Sequence, residues 1–234
     1  DKSSGNREIY VRRWDGSAWV EMGAGSATAG GISNNAGQSW DPSLTIGPDS
    51  APIVAWRDGS GGTPEIYVRR WDGSAWVEIG DHSATGGGIS NNGGYSSTPS
   101  VKVGPDGTLV VAWHDAVSGN DQIYVRRWNG SAWVEMDAGS ATGGGISNSS
   151  GWSRSPSLAI NSDGVFFVAW DDDTSTNSDI YARRYETPHR LFTPLVLSVP
   201  SRPRLVGSND VRPNNDVDQA IGLYGMMTQD FFRP

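Results

Sequence analysis

The string EIYVRRWDGSAWVE begins at Glu8, returns 57 residues later at Glu65, and recurs as QIYVRRWNGSAWVE from Gln122. A fourth start, IYARRYE, opens at Ile180 on the same spacing before the similarity ends. A period of this length marks an array of supersecondary units, none of which can bury its apolar surface alone. The period also sorts the residues. A position identical in every copy belongs to the scaffold or to one of several equivalent sites. A single site has to be built where the copies differ.

Each unit reads as four short strands between turn signals. In the unit opening at Pro99 the expected strands are 99–103, 108–113, 122–128 and 132–136. Gly104-Pro105-Asp106-Gly107 parts the first two, and Asn129-Gly130 is a two-residue hairpin signal. A Gly/Ser/Thr/Asn-rich stretch, 137–155, then leads to the next copy. Ile123 and Val125 point one way from the third strand, Tyr124 and Trp128 the other. On the second strand Val110 and Ala112 oppose Val111 and Trp113. Both faces of the small sheet are therefore apolar and both must be covered. Four-stranded sheets stacked face to face around an axis satisfy that pattern.

The strings PSLTIGPDSAPIVAWRD (42–58) and PSVKVGPDGTLVVAWHD (99–115), with the EIYVRRWDGSAWVE hairpins, resemble the blades of highly repetitive bacterial β-propellers, distantly akin to sialidase-type blades. The resemblance runs from residue 1 to about residue 186 and implies an all-β propeller. Segments 33–40 and 90–97 are similar to the sialidase Asp-box S-x-D-x-G-x-x-W, with Asn35, Asn92 and, in the third copy, Ser149 in place of the aspartate.

The expected organisation is a four-bladed β-propeller over 1–194, made of a half-blade (1–41) and repeats opening at 42, 99 and 156, followed by a non-repeat C-terminal tail over 195–234. Segment 188–194 would supply the last outer strand. The half-blade then lacks its inner pair, and 195–199 with 204–206 are the candidates, in cis or in a neighbouring subunit. Val217, Ala220, Ile221, Tyr224, Met227 and Phe231 fall at helical spacing. Exposed strand edges template further pairing, so Leu195, Val196, Leu197, Tyr224, Met227 and Phe231 are the expected assembly contacts.

Composition narrows the partners. The chain carries 26 acidic and 18 basic side chains, a net −8, which argues against nucleic acid because phosphate binding needs a basic footprint. The longest apolar run, 165–170, is too short to span a bilayer. No cysteine is present, which removes disulfides, thiolate metal sites and cysteine nucleophiles. Abundant Gly, Ser, Thr and Asn suit an exported protein, extracellular or on the cell surface. A first residue of aspartate suits a processed product or part of a longer chain.

Little chemistry is visible. The pairs Arg12-Arg13, Arg69-Arg70, Arg126-Arg127 and Arg183-Arg184 recur with the repeat, as do Asp58, Asp115 and Asp172 one strand away, and they read as inter-strand charge pairs. His82, His114 and His189 break the symmetry without metal-ligand spacing. The triplet Asp171-Asp172-Asp173 is a solvated loop or, at most, a hard-cation ligand set. The rows Trp14, Trp71, Trp128 and Trp19, Trp76, Trp133 alternate with Val and Ile and read as core between blades. Gln38, Tyr95 and Trp152 differ between copies and lie in the connecting loops, where they are the candidate glycan contacts. No catalytic, metal or cofactor set is expected. The functional expectation is thus a non-enzymatic extracellular protein that self-assembles into filaments or tubes, with a multivalent glycan-binding propeller as the alternative and a sialidase-like hydrolase third.

Overall fold

A computed structural model of the chain describes residues 5–175 and 177–186, all within the unit Asp1–Ser201. The described residues form strands and turns, with no helix. An outer hairpin of β1 (Arg12–Trp14) and β2 (Trp19–Glu21) comes first. The first full blade is β3 (Ser39–Ile46), β4 (Pro52–Asp58), β5 (Glu65–Trp71) and β6 (Trp76–Glu78). The second is β7 (Ser96–Val103), β8 (Leu109–Asp115), β9 (Gln122–Trp128) and β10 (Trp133–Glu135). The third has β11 (Ser153–Ile160), β12 (Phe166–Asp172) and β13 (Asp179–Tyr185). Every sheet is an antiparallel meander in chain order. The opening strands β3 and β11 each contact β7, so the three form the inner row. These are propeller blades.

The two apolar faces of a blade serve two different neighbours. Val111, Trp113 and Tyr124 join Ile66, Val68 and Ile89 of the first blade in one core, while Val110, Ala112, Ile123 and Val125 join Leu158, Phe166 and Val168 of the third in another. Ile9, Val11 and Ile32 cover Trp56 and Tyr67 in the same manner. Where a neighbour is missing the same positions open to solvent. Leu44 is exposed while its equivalents Val101 and Leu158 are buried, since the β1–β2 hairpin has no inner strands among the described residues.

The outer tryptophans tie each blade to the one before. Trp76 Nε1 donates to the Met22 carbonyl and Trp133 Nε1 to the Ile79 carbonyl, both at 2.8 Å. The rings of Trp71 and Trp128 lie so close over Gly23 and Gly80 that a Cβ there would overlap them. At the other end of each connection, Gly88 and Gly145 sit at φ +61° and +62° against the Ile66 and Ile123 carbonyls, where a side chain has no room and a left-handed backbone disfavours one anyway.

Two expectations need correction. The Arg and Asp rows do not pair across strands. Asp58 lies opposite Glu65, at the far end of β4 from Ile53 and Val54, which face Arg70 and Arg69. Arg69 and Arg126 instead donate to the Ile32 and Ile89 carbonyls of the preceding connection, at 2.6 and 2.8 Å. The first strand of each repeat is also longer than expected, Ser96–Val103 rather than 99–103, because a bulge carries pairing past Pro99. The segments 188–194, 195–199, 204–206 and 216–231, with His189, Leu195, Val196, Leu197, Tyr224, Met227 and Phe231, lie outside the described residues.

Candidate functional site

Several positions at which the copies differ lie together at one end of the blades, where the inner strand begins and its neighbour ends. Trp40 pairs with Arg57, Ser97 with His114, and Arg154 with Asp171, three equivalent cross-strand pairs of which no two are alike. Directly after each pair the register shifts. The bulge residue is left-handed in every copy: Asp41 at φ 53°, Thr98 at 46° and Ser155 at 53°. For β-branched Thr98 that conformation is strained. Bulges of this kind re-aim side chains at the rim of a sheet.

At the junction of the first and second blades the Arg57 guanidinium lies 4.4 Å from the Trp40 ring centroid and 5.5 Å from that of Tyr95. It donates to the Tyr95 hydroxyl and, at 3.2 Å, to Ser97 Oγ. Its Nε stands 3.3 Å from Asp41 Oδ2. Tyr95 remains 44% exposed. The result is an open aromatic face beside a guanidinium and a carboxylate.

The next junction has the same parts in a different arrangement. Arg154 lies 4.8 Å from the Trp152 ring centroid and pairs with Asp121, and Trp152 is 48% exposed. Behind them Thr98 Oγ1 and His114 Nδ1 are 2.8 Å apart. Burial pushes the His114 imidazole below its ordinary pKa, against the opposing pull of Asp121, while the Arg154 cation reinforces the depression. Toward the opposite end of the same two blades lies a pocket of about 200 Å³, lined by Val110, Val125, Met136, Leu158 and Phe166 together with Asp137 and Arg183.

Beneath the rim runs a recurrent polar layer. Asp115 accepts from Asn92 Nδ2 at 2.7 Å, Ser96 Oγ at 2.6 Å, Trp113 Nε1 at 3.2 Å and the Val117 amide at 2.8 Å. Asp58 holds the equivalent set from Asn35, Ser39, Trp56 and Ser60. These aspartates latch the connecting loop to the second strand, so each is buried yet fully engaged. Glu65, 5% exposed, closes the layer by accepting from the hydroxyl of Ser90 and the amide of Asn92. Burial, with Asp115 nearby, raises its carboxyl to about 7.

Of the candidate glycan contacts, Tyr95 and Trp152 lie at these two junctions, one in each. Gln38 is exposed at the equivalent point beside the β1–β2 hairpin, its carbonyl accepting from Gly59 at 2.9 Å. The partners Trp40, Asp41, Arg57, Asp121 and Arg154 were not picked out from the sequence as ligand contacts, although all but Asp121 occupy positions on the inner strand pair that differ between copies. Among the described residues no three His, Asp or Glu side chains are grouped to hold a metal ion, and Asp172 is taken up by Ser153 and Thr174.

No protein-family model matches the sequence, and no curated protein matches it. Solved structures do. One is the Penicillium chrysogenum α-L-arabinanase complexed with arabinobiose, 18% identical at TM-score 0.46, with 72% of this chain and 51% of that one covered. Another is the endo-arabinase from Bacteroides thetaiotaomicron, 15% identical at TM-score 0.44, covering 68% and 55%. A fucose lectin from Kordia zhangzhouensis in complex with methyl-fucoside is 11% identical at TM-score 0.41, covering 68% and 99%. The chain spans about half the length of the glycosidase structures it matches. Likeness of this order describes a fold and gives the chain no activity of its own. The expectation of a non-enzymatic filament protein is nevertheless corrected by it: the matching structures are named for cleaving or binding carbohydrate.

Proposed function

We propose that the chain is a carbohydrate-binding propeller, acting outside the cell, that holds neutral sugar units at the blade junctions of its divergent end. The observation that carries this reading is the repeated pairing of a half-exposed aromatic ring with an Arg–carboxylate couple: Tyr95 with Arg57 and Asp41, Trp152 with Arg154 and Asp121. A sugar ring presents apolar C–H faces and a rim of hydroxyls. The aromatic ring receives the face, the guanidinium donates to hydroxyl oxygens, and the carboxylate accepts their protons. Because each guanidinium already has a carboxylate beside it, the couples suit a neutral ligand better than an anionic one.

A glycan array followed by calorimetry on the best ligand tests the proposal. Tyr95→Ala and Trp152→Ala should each weaken binding about tenfold, or 1.4 kcal/mol, and together abolish avidity. An array without hits, or hits indifferent to both substitutions, overturns it. Release of reducing ends from the arrayed glycans would instead favour a glycan-cleaving reading, with the unrepeated titratable set His114, Asp121 and Asp171 at the second junction as its seat.

A further inference from the structure

The buried carboxyl of Glu65 accepts from Ser90 and Asn92, and its remaining contact, with Ser96, becomes a hydrogen bond only if Glu65 carries a proton. Ser96 Oγ stands 2.6 Å from Asp115 Oδ2 and 3.3 Å from Glu65 Oε2. A hydroxyl has one hydrogen to give, and the shorter contact, to Asp115, takes it. Glu65 Oε2 then faces a lone pair of Ser96, with the Asp115 carboxylate directly behind. A proton on Glu65 repairs this, since Oε2–H donates to Ser96 while still accepting from Ser90.

The second blade supplies an independent indication. Gln122 stands in the place of Glu65, and its Oε1 accepts from Ser147 Oγ and the Ser149 amide, both at 2.8 Å, as Glu65 does from Ser90 and Asn92. Its Nε2 donates to the Gly151 carbonyl at 2.9 Å. An amide at this point is the neutral counterpart of a protonated carboxyl. The groups that bear on Glu65 are Ser90 and Asn92 from the connecting loop, Ser96 from β7 and Asp115 from β8, and of these only Asp115 is charged.

Ser96 is flanked by Tyr95 and Ser97, the two residues that fix Arg57. We propose that Glu65 is protonated in the folded chain and that loss of this proton on raising the pH displaces the start of β7, weakening sugar binding at the first junction and leaving the second, built on Gln122, unchanged. The sugar-binding half of this rests on the function proposed above; the proton and the displacement do not. Above the midpoint two carboxylates confront each other across one serine, and their repulsion bears on Ser96 at the start of β7.

The test uses the full chain with ¹³C-labelled glutamate carboxyls. One carboxyl signal should titrate with a midpoint near 7 and vanish in Glu65→Gln, and the ring signals of Tyr95 and Trp40 should shift with that midpoint in the wild type only. A Glu65 midpoint in the ordinary range removes the proposal. So do rings that stay still while Glu65 titrates near 7. With a sugar ligand in hand, Tyr95-dependent affinity should fall about tenfold from pH 6 to pH 8, the ratio of protonated fractions for such a midpoint, and stay level in Glu65→Gln. Level affinity in the wild type, with the carboxyl and ring titrations intact, discards the coupling to the sugar alone. Failure of every sugar to bind strikes the functional reading and leaves the titrations to decide the rest.

Discussion

Trp113 and Ser97 sit on paired strands of one blade, and they show the two ways this chain uses its repeat. Trp113 recurs as Trp56 and Trp170, all three buried, and in the first two blades its indole N–H reaches the aspartate two residues on. Ser97 recurs as Trp40 and Arg154, none the same. A buried face must fit the next blade's opposite face, so most interior changes stay among apolar side chains, as between the equivalent Leu109 and Phe166. The rim at the head of the inner strands carries the exposed rings of Tyr95 and Trp152, so a change there alters chemistry with less demand on packing, although Ser97 itself is buried. Trp113 and its equivalents carry the load between blades, while Ser97 and its equivalents vary the chemistry of the rim.

Substitutions can break that comparison or sharpen it. The largest effect should come from Trp113→Ala, which empties a fully buried site between the first two blades: about 3–5 kcal/mol of destabilisation in chemical unfolding, with the Asp115 hydrogen bond lost as well. A much smaller loss would mean that the blades do not depend on matched faces. Trp133→Phe keeps most of the ring and removes only the N–H bond to the Ile79 carbonyl, so about 0.5–1.5 kcal/mol is expected by the same measurement. At the rim, Tyr95→Ala and Trp152→Ala should each change stability by no more than about 0.5 kcal/mol, whatever they do to sugar binding. A rim substitution as costly as Trp113→Ala would erase the distinction. The pH dependence of the melting temperature sharpens it further. Glu65, with its carboxyl raised to about 7, binds more protons folded than unfolded above the ordinary glutamate range. Stability should thus fall as pH rises from about 4.5 toward 7, and Glu65→Gln should flatten that slope.

Much of the fold was legible because the blade repeats its own punctuation. The third strand, 122–128, lies where the sequence placed it, bounded by a polar turn and Asn129-Gly130. The face assignments of Val110 to Trp113 also agree with the two cores. The start of the inner strand was missed because Ser96-Ser97-Thr98-Pro99 has the composition of a loop, and only the bulge reconciles it with pairing. The Arg–Asp reading failed for a related reason: periodicity tells which strands adjoin, not which end of one faces which end of the other. The rim was half legible. Tyr95 and Trp152 stood out as aromatic departures from the repeat, whereas Arg57 and Arg154 arrive from different strands of different blades, and nothing in their spacing says that both end on an aromatic ring.

The near-identity of the blades has a kinetic side. A strand of one copy offers almost the same hydrogen-bonding edge and the same side chains to the third strand of any other copy, so wrong partners are enthalpically close to right ones. Chain length separates them. The link from β4 to β5 is the short stretch between Asp58 and Glu65. Pairing with the next copy's strand lengthens it from about six residues to about sixty, an added closure cost of about 2 kcal/mol. That margin favours each meander folding on itself first, from contacts close in sequence. It is also thin enough that two chains at high concentration, or one chain stalled half-folded, can trade equivalent hairpins, the failure mode of arrays whose units are too much alike.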